Sequence, residues 1–275
     1  VYVENHWVLG LNKESPSQPS PPYVTMGQQK GKPTKTLDLN APKRVDENVM
    51  ETLTDKIVNW IGQQSAEKPF FVYFTPVAVH NPITPSKATA GKSKGGPFCD
   101  FISDLDLSVG RVLDVLEQKG FAKDTLVIFT SDNGGVNKPE NANLVQTDAQ
   151  KAGLKPVGPF RGGKHDVWEG GFRVPAIIRW PGRVKAGSVE NGIISGLDWF
   201  PTLTAAAGNP NITDQLLKGV TLDGRTYKNH LDGYNQMNLL TGKGPSARHE
   251  IFYFAGPQFG ALRYDDFKFQ FFNIL

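Results

Sequence analysis

A single cysteine, Cys99, means that the 275-residue chain can close no internal disulfide, so stability must come from a packed core and the redox compartment is left open. Long apolar runs are missing as well. The longest are the size of a β-strand, which leaves no candidate for a membrane-spanning helix. An excess of charge of one sign is also lacking: 30 Lys and Arg against 27 Asp and Glu give a formal net charge of +3, with the basic residues scattered. That removes the electrostatic case for a nucleic-acid partner. No basic, apolar and small-residue succession opens the chain as a secretory leader would, since Val1 runs straight into a mixed polar stretch. Nor is there an internal repeat. What is present is 39% hydrophobic content over a length sufficient for one large α/β core, or a core with a small appendage.

Residues 11 to 45 are rich in Pro, Ser, Lys and Gly without sustained periodicity and read as a long surface loop. A helix follows, in which Val49, Leu53, Ile57, Trp60 and Ile61 recur at helical spacing and Asp46 is available as N-cap. The apolar run Phe70 to Phe74 reads as a buried strand, ended by Thr75 and Pro76 so that His80 falls in the loop beyond. Ile102, Leu105, Val109, Val112, Leu113 and Leu116 form the apolar face of a second helix, which Gly120 stops. Leu126 to Phe129 and Val174 to Trp180 read as two further buried strands. Strands alternating with helices predict an α/β class: a mostly parallel sheet sandwiched by helices, with chemistry at the carboxyl ends of its strands. Asp198 can cap a short helix that has Pro201 in its first turn and Gly208 past its end, which is a structural role. The tail changes character. Ile251 to Phe254 and Ala261 to Phe272 alternate apolar and polar residues, as half-exposed antiparallel strands do. The expected division is therefore a large α/β unit over residues 1–245 and the start of a smaller antiparallel subdomain over residues 246–275.

Chemistry concentrates between residues 125 and 182. The strand ending at Phe129 delivers Asp132 and Asn133 into a turn where Gly134 and Gly135 remove the Cβ atoms that would block close approach. Their hard oxygens suit calcium or magnesium, although an Asp-Asn-Gly turn can also merely cap a helix. Lys164 lies in a second glycine-rich loop, between two strands of the same sheet. There it can be aimed at an anion instead of standing as a solvated surface charge.

The pair TSDNGG at 130–135 and GGKHDVWEGGFRVP at 162–175 resembles the sulfatase family closely. The likeness continues in KPFFVYFTPVAVHNP at 68–82, LDLSVGRVLDVLEQKG at 105–120, LDWFPTLTAAAG at 197–208 and ALRYDDFKF at 261–269. The resemblance implies the fold of the alkaline phosphatase superfamily and the arylsulfatase-like reaction, in which a sulfate ester is cleaved to alcohol or phenol plus sulfate by a formylglycine nucleophile. It implies that Asp132 and Asn133 are calcium ligands, that His80 serves the leaving-group oxygen, and that Lys164 binds the sulfate and steadies developing negative charge. The implied partner is a sulfated small molecule or sulfated carbohydrate, and the implied location is secreted, periplasmic or lysosomal. Nothing in the sequence indicates an oligomeric state.

The sequence also departs from that family. The formylglycine precursor pattern Cys/Ser-x-Pro/Ala-x-Arg does not occur, and Cys99, followed by Asp100, Phe101, Ile102 and Ser103, cannot supply it. Cys99 reads as a small hydrophobe at a helix entry. The family's early pair of acids is absent too. The stretch Asn5 to Gly10 only superficially resembles the family's Gly-Lys-Trp-His-Leu-Gly, which leaves His6 as a surface histidine. The expectation is a chain cut at both ends, inactive alone, with its nucleophile in an upstream segment. A phosphodiesterase or phosphonate monoester hydrolase of the same superfamily, or a non-catalytic chain that binds an anionic sugar, remains open as an alternative. Structural roles are expected for several neighbours: His165 facing solvent, Glu169 paired with Arg173, and Arg263 and Lys268 as fold elements of the tail. Asn211-Ile212-Thr213 is a glycosylation sequon if the source glycosylates secreted proteins. Residues 136–158 form a polar insertion placed to act as a specificity loop.

Overall fold

Two amphipathic helices close their apolar faces on each other and, with the extended segment beside them, build the principal core. The computed structural model describes residues 3–4, 7–8, 45–137 and 144–271, with side chains over 45–137 and 148–271. Short strands β1 (Val3–Glu4) and β2 (Trp7–Val8) pair with each other. The expected surface loop over residues 11–45 and the surface assignment of His6 lie, apart from residue 45, outside the described residues.

α1 (Val49–Gly62) is entered through a single 3-10 turn at Asp46–Asn48, and α2 (Gly96–Gln118) ends just before Gly120, which takes φ +72°. Asp46 lies inside the 3-10 turn instead of capping α1, and no side chain caps that helix. The turn makes a cap less necessary, because its own i to i+3 bond from Asn48 N to Val45 O occupies a terminal donor. Ile61 of α1 meets Val115 and Leu116 of α2, with Phe121 and Ala122 completing the cluster and Phe70, Val72 and Val127 packed against it. Each large side chain removed from water in this way contributes about 1.5–3 kcal/mol. Toward the other end the seam turns polar: Thr54 Oγ1 donates to Ser108 Oγ at 2.8 Å. Asp100 and Asp104, also on the buried side of α2, accept hydrogen bonds from the loop before it.

β3 (Val127–Thr130) pairs antiparallel with β4 (Ala176–Arg179), in the register Val127 to Arg179 and Thr130 to Ala176. Between them lie α3 (Leu144–Lys151) and the one-turn α4 (Glu169–Phe172). The α/β class holds, but the ladders differ from the expected mostly parallel sheet: every pairing among the described residues is antiparallel. A parallel pair needs a crossover that carries the chain back to the starting end. The connection over residues 131–175 instead brings the chain back at the end where β3 finished, since Thr130 lies opposite Ala176. The segment Phe70 to Phe74 is extended but forms no ladder among the described residues. Its side chains alternate, with Phe71 and Tyr73 70% and 83% exposed, so it is not the buried strand expected. The β4 strand is likewise shorter than Val174 to Trp180, and its Ile177 is exposed.

α5 (Trp199–Ala206) is entered through a 3-10 turn at Gly196–Asp198, which opens on a capping box with Ser195 as cap and Asp198 as third residue, so Asp198 acts from inside that turn and no side chain caps α5 itself. α6 (Ile212–Lys218), the hairpin β5 (Val220–Leu222) and β6 (Arg225–Tyr227), and α7 (Met237–Leu240) follow. The chain closes on a meander of β7 (Glu250–Ala255), β8 (Gln258–Tyr264) and β9 (Phe267–Gln270). Its inner face sets Tyr253 and Ala261 against Val167, and its outer face leaves Phe252, Phe254, Phe267 and Phe269 exposed. The segments on either side of the expected division at residue 245 are bonded together, because Arg248 reaches back to the buried carboxylate of Asp198.

Candidate active site

β3 ends at Thr130 and the chain passes through Ser131, Asp132 and Asn133 into Gly134 and Gly135. There the main chain rests directly on the main chain of the later glycine loop. Gly134 N donates to Gly171 O at 3.0 Å, and Lys164 N donates to Gly135 O at 2.8 Å. A Cβ added at Gly134 would fall 1.8 Å from Gly170 O, and one at Gly171 would fall 2.5 Å from Gly163 O. No other residue type fits at these contacts. The Lys164 loop is also tied to itself: Gly170 N donates to Arg161 O at 2.8 Å, and the Asp166 carboxylate accepts from Gly163 N at 2.9 Å. The guanidinium of Arg161 lies 3.7 Å over the Trp168 ring. Lys164 is half-buried on this frame, while His165 is exposed, as expected of a solvent-facing residue, and takes a left-handed φ of +77°.

The opposite wall comes from the start of α1 and the loop after Phe74. His80 and Asp132 line one cavity of about 370 Å³, together with Asp46, Val49, Val77, Pro82 and Thr84. His80 is exposed, and its Nδ1 lies 2.9 Å from the Asn81 carbonyl oxygen. That contact is favourable with the proton on Nδ1, which leaves Nε2 as the nitrogen free to exchange a proton with the cavity. Asn133 spends its amide NH₂ on Gly134 O at 2.9 Å, so its side-chain oxygen is available as a ligand. An oxygen-only donor set carried on a glycine turn fits a hard cation such as calcium.

Glu169, the first residue of α4, is the electrostatic centre behind the loop. Its carboxylate accepts from Tyr253 Oη at 2.6 Å, Lys268 Nζ at 3.0 Å and Arg263 Nη1 at 3.1 Å. Burial acts to raise the Glu169 pKa, but the bonds from Tyr253 and Lys268 and the charges of Lys268 and Arg263 outweigh it and hold the carboxyl below its ordinary range. Burial pushes the Tyr253 hydroxyl well up, and the Glu169 carboxylate beside it adds to the shift. Burial shifts Lys268 down, against the bond and charge of Glu169, which favour the ammonium, and the nearby charge of Arg263 adds to the shift. The expected Glu169–Arg173 ion pair is not formed. Arg173 N donates to Glu169 O at 2.7 Å, while its guanidinium lies 4.8 Å over the Phe160 ring. The two cations from the tail are nearer and take the carboxylate. Arg263 and Lys268 are therefore more than fold elements of the tail: they bind the loop that carries Lys164.

A family profile described as Sulfatase matches residues 6–209, three quarters of the chain and all of the turns just described. The chain belongs to the sulfatase family. It is 33% identical over 219 residues to human steryl-sulfatase, an alignment covering 79% of this chain and 34% of that protein. Identity to the N-acetylgalactosamine-6-O-sulfatase of Bacteroides thetaiotaomicron is 30%, covering 91% of this chain and 50% of that one. Among solved structures, PsFucS1 sulfatase from Pseudoalteromonas sp. superposes with a TM-score of 0.65 at 30% identity, over 82% of this chain and 41% of its own. A protein described under the metabolism of multiple glycosaminoglycans by Bacteroides thetaiotaomicron gives a TM-score of 0.69 at 30% identity, over 83% and 44%. These neighbours place the sulfatase chain in the alkaline phosphatase-like fold. The chain spans between a third and a half of the length of these curated relatives.

The structure thus sets His80 and Asp132 on one cavity, puts Asn133 next to Asp132, and joins Lys164 to the same turn through Gly135. Among the described residues, no group of three or more His, Cys, Asp and Glu is arranged to hold a metal, so Asp132 and Asn133 are at most part of a shell. The insertion over 136–158 is partly helical as α3, and Pro156 O lies 2.4 Å from where a Gly135 Cβ would be, so it packs on the turn. Residues 138–143 of that insertion lie outside the described residues. Sequence reasoning missed Asp46 as a wall of the cavity and Glu169 as the hub. For Glu169 a signal existed: Tyr253, Arg263 and Lys268 fall on one face of three alternating strands, with no anion of their own on that face.

Proposed function

We propose that these residues form part of the site of an arylsulfatase-like sulfuric ester hydrolase, whose formylglycine nucleophile comes from outside the 275 residues. The observation that carries this reading is the main-chain contact between the Asp132–Asn133 turn and the Lys164 loop beside the cavity that His80 lines. Asp132 and Asn133 would supply two of the 6 to 8 oxygens that calcium takes. Calcium, when bound, would draw the negative oxygens of the ester into the turn. Lys164 adds a fixed positive charge to the same anion, which suits a sulfate that stays ionised at physiological pH. The Nε2 of His80, when protonated, can give its proton to the departing oxygen of the alcohol or phenol. Formylglycine would supply the hydroxyl that attacks sulfur.

The family likeness makes a sulfated small molecule or a sulfated carbohydrate the proposed substrate, and the cavity of about 370 Å³ beside Asp132 would admit an aryl or sugar ring. Family relatives motivate a secreted, periplasmic or lysosomal location; no helix among the described residues is long and apolar enough to cross a membrane.

The test assays the 275-residue chain and a version extended to carry a Cys-x-Pro-x-Arg segment, both with an activated aryl sulfate and calcium. Only the extended version should turn over, and Lys164→Ala should cost it about 10²-fold or more. Turnover by the short chain, lost in Lys164→Ala, would overturn the formylglycine route in favour of direct attack by water.

A further inference from the structure

We propose that Glu169 is a positioning residue, through which the three-stranded C-terminal sheet sets how the Lys164 loop packs on the Asp132–Asn133 turn. Each strand contributes one donor to its carboxylate: Tyr253 from β7, Arg263 from β8 and Lys268 from β9. All three sit on the inner face of the meander, and Lys268 also lies 3.4 Å over the Tyr253 ring, so the donors are ordered with respect to one another. On the other side, Glu169 directly precedes Gly170 and Gly171, the two glycines whose backbone touches Gly134, Gly162 and Gly163. The contact at Gly134 has no slack. Any shift of α4 must therefore move Gly171 O away from Gly134 N, or carry the metal-ligand turn with it.

Glu169 does not line the cavity that holds His80 and Asp132, so it acts through the loop and not on substrate. A half-buried carboxylate shared by two cations is stabilised only while the sheet is docked, which makes the loop's order conditional on the tail. The meaning of this coupling for ester hydrolysis rests on the function proposed above, whereas the coupling itself does not.

The experiment measures amide hydrogen exchange in the 275-residue chain at Gly134, Lys164 and Gly170, whose donors report the interlock, and at amides of α1 and α2 as controls. Glu169→Gln and Lys268→Met should each speed exchange at the three reporters by about tenfold while leaving the controls unchanged, and Lys268→Arg should restore protection. If Glu169→Gln does not fold, Tyr253→Phe removes one donor and keeps both cations, and should give a smaller change at the same three amides. Exchange that rises equally in α1 and α2, or reporters that stay at wild-type rates, would reduce Glu169 to a structural peg and overturn the proposal. So would a Lys268→Arg variant that behaves like Lys268→Met. Titration of each protein with inorganic sulfate, followed at the Lys164 amide, separates the two readings. No sulfate response in the wild type, with the exchange differences intact, overturns the anion role of Lys164 and leaves the coupling supported.

Discussion

Single residues in this chain show what it costs to keep a charge out of water. Asp198 is fully buried and Arg248 only 3% exposed, and the guanidinium donates to both carboxylate oxygens, as Ser195 N, Tyr234 N and Gln236 Nε2 also donate to the carboxylate. Arg248→Met would keep most of the volume but leave the carboxylate without a counter-charge, so urea unfolding should show a loss of about 3–5 kcal/mol. A loss below about 1 kcal/mol would mean that water or another cation takes the place of Arg248. Glu169 makes a prediction of a different kind. Its folded pKa lies below the ordinary 4.5, so in that interval the unfolded chain binds more protons than the folded one. Its contribution is complete above 4.5 and is lost as the pH falls through the folded pKa. Unfolding midpoints taken from about pH 6 to about pH 3 should fall more steeply for the wild type than for Glu169→Gln. Parallel curves would remove Glu169 from the acid response.

Among elements, α2 does two jobs with one buried face. Its Phe101, Val115 and Leu116 enter the core, while Asp104 accepts from Ser86 N, Ser86 Oγ and Thr89 Oγ1 and so holds the loop before the helix. Asp104→Ala strands those donors and should cost about 3 kcal/mol, with proteolysis appearing between Ser86 and Gly95 before the rest of the chain is cut. Cleavage no faster than in the wild type would show that the loop is held by other means. The helices were legible because apolar residues at helical spacing state both the element and its inward face. The acids on that face were not, since Asp100 and Asp104 have the composition of a solvated surface, and only their register with Phe101 and Ser108 gives them away. Strand direction was not legible either: Phe70 to Phe74 announces apolar character but neither a partner nor a covered face. The candidate site divides in the same way. Asp132, Asn133 and Lys164 stood out as candidates because each sits in a glycine-rich loop, whereas His80 was marked only by the family resemblance. The partners of Glu169 lie 84, 94 and 99 residues away, beyond any local pattern.

Across the whole molecule, apolar surface is left facing water on the outer side of the C-terminal meander, where Phe252, Phe254, Phe267 and Phe269 are each more than half exposed, and again at Phe71 and Tyr73. Contiguous surface of this kind drives association. The purified chain should sediment as a concentration-dependent mixture of oligomers, and the double substitution Phe254→Ser, Phe269→Ser should shift it toward monomer. A wild-type chain that stays monomeric across the same range would show that these rings do not recruit one another. The glycine interlock has a wider consequence, for how such a protein can diverge. With main chain resting on main chain, the gap between the Asp132 turn and Lys164 is a fixed gauge that no exchange of side chains can retune, and any Cβ at Gly134 would force it open. Novelty is thereby channelled to the facing wall, where Val49, Val77 and Thr84 can be replaced without disturbing that gauge. On the function proposed above, descendants of this sequence would be free to change the ring they take while inheriting, unaltered, the end proposed to meet the anion.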